Sequence, residues 1–294
     1  MAELPRVSTN GGGALGSVRS AQPAPRALVD GIRGYRMIAA MWIRAAVSYR
    51  TSFVLLASAQ FVVTGLDFIM IVILFTHTRE LGGFTSAEVF FLYAGSGLAL
   101  AFADLLAGSL ELVGRRIRDG SLDSLLVRPI PVVAQLAADQ FAVRRVGRIL
   151  QAGTVFIVAL VTGDIVWSPA KVLLTLVMVV SGTALFIGIF MLGACFQFVA
   201  GDAAEVSNAF TYGGDALSQL PWTIYPRELV RTVVLVLPLA FVSWVPAAWI
   251  LDRPLPLGMP SFMAWTSPVA AAALLTVAGL LWRVALRSYR STGS

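Results

Sequence analysis

Few side chains in this 294-residue chain could carry covalent or metal chemistry. Gly95-Ser96-Gly97 has the glycine-flanked serine of a nucleophile elbow, but acyl transfer needs a base beside that serine, and the sequence shows none. A zinc protease needs two histidines on one helix face, and His77 stands alone. Lys171, the one lysine, follows Ser168-Pro169-Ala170 and not a glycine loop. A Walker A site reaches the terminal phosphates with a lysine in such a loop, so this chain does not hydrolyse ATP by itself. Cys195, the single cysteine, lies in an apolar run; it forms no intrachain disulfide or cysteine metal cluster and reads as a packing residue. No catalytic, metal or cofactor-binding residue is expected, and a membrane-embedded enzyme is disfavoured on the same grounds.

What remains is chemistry of recognition. Asp67 and Asp104 fall inside apolar runs. Ionisable groups in hydrocarbon face a bundle interior, a water-filled path or a partner charge. Asp67 is a candidate for a translocation path or a subunit interface, and Asp104, nearer a run's end, for a structural role. The third feature is Arg116 to Pro129, "RIRDGSLDSLLVRP". Asp119-Gly120 turns the chain, Ser121 suits an N-cap, and Asp123 lies where a carboxylate complements the helix dipole. Leu122, Leu125 and Leu126 form one stripe; Arg128 sits at the negative end and Pro129 stops the helix. A helix of about two turns, roughly 10 Å long, cannot span a membrane or stand alone. It must pack either against the ends of its own bundle or into a groove of a soluble partner.

The elements that position these residues are those of an all-α integral membrane protein. The chain is 57% apolar and 13% charged with a mean hydropathy of +0.81, where a soluble domain carries about 25% charged residues. Its excess of 22 basic over 16 acidic residues lies between oily runs, so no basic face remains for nucleic acid. A spanning helix needs roughly 20 apolar residues. Six runs qualify: 53–75, 88–110, 147–167, 171–200, 232–251 and 268–286. The fifth carries Pro238 and Pro246, either kinks that let it change shape or static bends. No period of 20 to 50 residues repeats, which excludes solenoids.

Basic residues set orientation, because short cytoplasmic loops retain them. With the N-terminus inside, nineteen bases fall on the cytoplasmic side, Arg227 and Arg231 among them, against Arg79, Lys171 and Arg253 outside. Residues 1–30, with Gly11-Gly12-Gly13 and no apolar block, read as a disordered tail without a signal peptide. Residues 31–52 form an amphipathic helix, Met37, Ile38, Met41 and Trp42 recurring among Arg36, Arg44 and Arg50. Such a helix lies on the membrane surface with its arginines among lipid phosphates. The loop 111–146 joins the second and third spans, and 289–294 is a cytoplasmic tail.

"IRDGSLDSLLVRP" resembles the cytoplasmic signature of small bacterial ABC-2 type permeases, an Ile-Arg-x-Gly-x-Leu-Asp-x-Leu-Leu-x-Arg-Pro string. "LPWTIYPRELVRTVVLVLPLAFVSWVPAAWIL" from Leu220 and the terminal "YRSTGS" are similar to further family motifs, in the same order. The resemblance implies the six-helix fold of a type V-like exporter in the bacterial plasma membrane, both termini cytoplasmic. It also implies two copies of a separate ATPase, which would hold ATP and Mg, and a second permease, identical or homologous. Carried over, Ile117, Arg118, Asp119, Gly120, Leu122, Asp123, Leu125, Leu126, Arg128 and Pro129 are the coupling region. The leucine stripe is then expected in an apolar groove of the ATPase, with most of the docking energy in the leucines. Residues 31–52 resemble the connecting helix. The apolar spans suggest a hydrophobic or amphipathic cargo. The rival is an ATP-independent secondary transporter or channel, which would want paired intramembrane charges or an inverted repeat.

Overall fold

The structure is a computed structural model that describes residues 24–139, 145–201, 203–235 and 238–289. Arg6, Arg19, Arg144 and Arg290, most of the expected N-terminal tail and nearly all of the C-terminal tail lie outside the described residues. Twelve α-helices occur among those described. They are α1 (Ala24–Ser48), α2 (Arg50–His77), α3 (Ser86–Ala107), α4 (Val113–Arg118), α5 (Ser121–Leu126), α6 (Val132–Ala138), α7 (Val146–Thr162), α8 (Pro169–Ala200), α9 (Ala204–Gln219), α10 (Arg227–Leu235), α11 (Trp244–Ile250) and α12 (Ser267–Ser288).

Local chemistry starts the long helices. Thr85 and Glu88 close a capping box at the head of α3. At α8, Ser168 Oγ accepts from the Lys171 N–H at 3.3 Å and Pro169 occupies the first turn, where a missing N–H costs nothing. α3 continues through a 3₁₀ stretch, Gly108–Leu112, into α4, making one 33-residue unit.

Among the described residues, four helices are long and apolar enough to cross a membrane: α2, the α3–α4 unit, α8 and α12. α7 is shorter than the expected third span: it has 17 residues and stops at Gly163, where the backbone turns extended. The expected fifth span, 232–251, is not one helix. α10 and the segment Pro238–Ile250 meet at 75°. Pro238 opens a 3₁₀ turn after the break, having no N–H to continue α10, while Pro246 sits in the first turn of α11 and kinks nothing.

This segment begins and ends at the same end of the bundle. Before it, Thr223 Oγ1 donates to Gly82 O at 2.7 Å in the α2–α3 connection. At its deepest, Ser243 Oγ donates to Ser218 O at 2.7 Å. After it, Arg253 pairs with Glu88 at the head of α3. Arg227 and Arg231 therefore lie at the end that carries Arg79 and Arg253, and moving them lowers the inside set from nineteen to seventeen bases. α9 follows α8 and ends at Leu220, whose carbonyl accepts from Trp244 Nε1 at 2.9 Å.

α3 is the spine: 67% of its most apolar window is buried, against 6% for α2. α2 is held mainly along α7. A Cβ on Gly147 would overlap the Ala57 carbonyl oxygen, so the two backbones touch only because residue 147 is glycine. α1 begins at Ala24, inside the stretch expected to be tail, and ends before the break at Tyr49. Its Gly31 and Gly34 lie against Pro131 and Ile130, and Tyr35 donates to Leu106 O at 2.9 Å. Ile32, Arg33, Arg36, Met37, Met41 and Arg44 remain exposed.

Candidate functional site

The sequence-predicted coupling region is a helical hairpin at the end of the bundle opposite Glu88 and Arg253. α4 ends at Asp119, and Gly120 takes φ +65° to reverse the chain, a left-handed conformation that side chains with a Cβ resist by about 1–2 kcal/mol. Gly120, not Ser121, is the residue capping α5; Ser121 is already its first helical residue. Leu122 and Leu125 are 0% and 7% exposed, and Leu126 and Ile117 are partly buried against the same core. The stripe expected to fill a partner's groove is thus covered by its own chain. The leucines anchor the hairpin to its own chain, because that core is the nearest apolar surface a two-turn helix can cover.

Neutral side chains fasten the hairpin further. Gln135 of α6 donates to Leu125 O at 3.0 Å and to Ile130 O at 2.7 Å. Gln197 of α8, fully buried, accepts from the Gly114 N–H at 2.7 Å. Arg116 pairs with Asp139. The Tyr289 phenol lies beside Asp123, and burial first, then that carboxylate, raise its pKa above the ordinary tyrosine value. What the hairpin leaves to solvent is Arg115, Arg118, Asp119, Ser124, Val127, Arg128 and Pro129, with Val127 84% exposed.

The second site lies between the helices. Asp67 of α2 lines a cavity of about 310 Å³ together with Tyr93 of α3, Arg148 and Gln151 of α7, and Tyr212 and Asp215 of α9. Asp215 accepts from Ser96 Oγ at 2.6 Å and from Gln219 Nε2 at 2.8 Å. Ser96 is thus a buried hydrogen-bond donor to a carboxylate of α9. Asp104 lies one layer inward, with Arg145 Nε at 3.0 Å and Arg148 Nη1 at 3.5 Å. The Arg148 guanidinium also covers the Tyr212 ring at 5.4 Å. The structure thus gives Asp104 two cationic partners, gives Asp67 a cavity wall, and leaves Pro238 and Pro246 outside that cavity.

At the outer end Asp252 and Arg253 fasten the returning chain. Lys171 Nζ meets Asp252 at 2.6 Å, and Arg253 grips both oxygens of Glu88 at 2.8 Å. The hydrogen bonds that Arg253 donates to Glu88 raise its pKa further, so this pair stays charged.

Sequence reading missed α9 and its Asp215, and used Arg145 and Arg148 only to orient the chain. The signal was present: Ser207, Thr211, Asp215 and Ser218 recur at three- and four-residue intervals and are all buried. That is a polar stripe of helical period, which a search for apolar runs passes over.

A family model described as ABC-2 family transporter protein matches residues 61–293. The match spans most of the chain, its hairpin and its chamber, and the chain belongs to this family. It is a multi-pass membrane permease of an ABC transporter, the membrane component and not the ATPase. No curated protein and no solved structure gives a significant match.

Proposed function

We propose that this chain is the transmembrane subunit of an ATP-driven exporter of amphipathic compounds, working with a second permease and two ATPase copies. The bilayer is the bacterial plasma membrane, the termini are cytoplasmic, and the crossings are α2, α3, α7, α8, α9 and α12. The observation that carries the reading is the hairpin of α4 and α5. Its leucines and its glutamine bonds join it to α6, α8 and the core, while a basic rim around Val127 is exposed. A rigid knob of this kind can receive a push at its rim and deliver it to the bundle through packed helices, since packed cores transmit strain.

The docking surface in this reading is Arg118, Ser124, Val127, Arg128 and Pro129, not the leucine stripe. Val127→Asp combined with Arg128→Glu is expected to leave the permease folded and to remove the ATPase chain from the purified complex. Retention of the ATPase at wild-type stoichiometry would overturn the docking surface. Undiminished transport by the purified chain without any ATPase would overturn the exporter reading and favour a secondary transporter or channel.

A further inference from the structure

The chamber between α2, α3, α7 and α9 holds two carboxylates that nothing in the coupling scheme requires. Asp215 is 8% exposed and is held only by neutral donors, Ser96 and Gln219. Asp67 forms no hydrogen bond or ion pair among the described residues. Both sit at one level: Ser96 and Asp67 are each ten residues from the outer ends of their helices, about 15 Å along a helix axis. Arg148, the cation on the wall, is engaged by Asp104 and by the face of Tyr212. Arg145 already balances Asp104, and Arg148 acts on Asp215 as well, so one cation stands against the two chamber carboxylates and the wall keeps a net negative charge in a region where such charge is costly.

We propose that this chamber binds an organic cation, the ammonium group of an amphipathic cargo, between Asp67 and Asp215. The inference rests on the transporter reading and names its substrate class. Three observations select the ligand. The cavity of about 310 Å³ has room for an ammonium with its substituents. Its walls include Tyr93 and Tyr212, the latter already shown to hold a cation against its ring, that of Arg148, and aromatic faces attract quaternary and alkyl ammonium groups as they do guanidinium. Among the described residues no group of three or more His, Cys, Asp or Glu could hold a metal ion, so the carboxylates are too sparse for a divalent cation, while a diffuse charge needs no close ligand shell.

The probe is phenyltrimethylammonium, with tert-butylbenzene as its uncharged isostere, bound to the full-length chain in lipid nanodiscs and followed by equilibrium radioligand binding. Saturable binding of the cation is expected. Asp67→Asn and Asp215→Asn should each weaken it at least about tenfold, the smallest loss expected for removing a charge-assisted contact. Asp67→Glu should restore it. Because Asp215 is buried, its variant could lose folding; Asp67 is exposed in the chain, so Asp67→Asn keeps the test decisive. Unchanged affinity in Asp67→Asn, as follows if that carboxylate pairs instead with a neighbouring permease, would overturn the proposal. So would equal binding of the neutral isostere. Binding to the chain alone needs no ATPase, so failure here and failure of the exporter reading give different results.

Discussion

Helices α5 and α9 are both short and amphipathic, and they turn opposite faces to the bundle. α5 buries Leu122 and Leu125 and leaves Ser124 to solvent. α9 buries Ser207, Thr211, Asp215 and Ser218 and turns Val206 and Phe210 outward, 47% and 54% exposed. The difference is one of solvent. In the proposed arrangement, water outside α5 rewards burial of its leucines, whereas hydrocarbon outside α9 removes that reward and leaves polar contacts and close packing to hold the helix. Substitutions that exchange the two logics should therefore break the molecule unequally.

The largest effect is expected at Leu122, which is fully buried. Leu122→Asp places a carboxylate in the core and leaves the hairpin unanchored, a loss of about 4 kcal/mol or more, visible as loss of monodisperse protein on purification. Next comes the same substitution on the outward faces. Phe210→Asp puts a carboxylate against lipid and should cost about 3 kcal/mol, whereas Val127→Asp on the water side should stay within about 0.5 kcal/mol. Thermal unfolding of the two variants in nanodiscs measures the contrast, and equal shifts would refute the placement of α9 in the bilayer. A smaller effect belongs to Gly120, at φ +65°. Gly120→Ala should lower stability by about 1 kcal/mol through backbone strain and slow coupled ATP hydrolysis more than it lowers the melting temperature.

Much of the fold was legible because long apolar runs have one physical solution in a bilayer, the helix. α2, α3, α8 and α12 were each visible as such a run. The segment 232–251 was misread for the same reason: hydropathy reports how oily a stretch is, not where it goes. Arg227 and Arg231 were placed inside by counting, and it was Thr223 bonding to Gly82, together with Arg253 gripping Glu88, that showed which end they occupy. At the hairpin, the turn, the short helix and its stop could be read from Gly120, the leucines and Pro129. The direction the leucines face could not, since a stripe fits either a partner's groove or its own bundle.

The sequence by itself determined that this is a helical membrane chain too poor in lysine, histidine and cysteine for a Walker A loop, a two-histidine zinc site or a cysteine cluster, and that residues 116–129 hold a turn, a short helix and a stop. Both follow from local quantities: hydropathy, cap residues, and the scarcity of lysine, histidine and cysteine. Only the tertiary structure decided that the leucines point inward, that 232–251 is broken and not one helix, and that Asp67 and Asp215 line one chamber. These depend on pairs of residues far apart in the chain, Ser96 with Asp215 and Gln197 with Gly114 among them. Buried polar groups must find partners wherever the fold brings them, and no local spacing records which partner that will be.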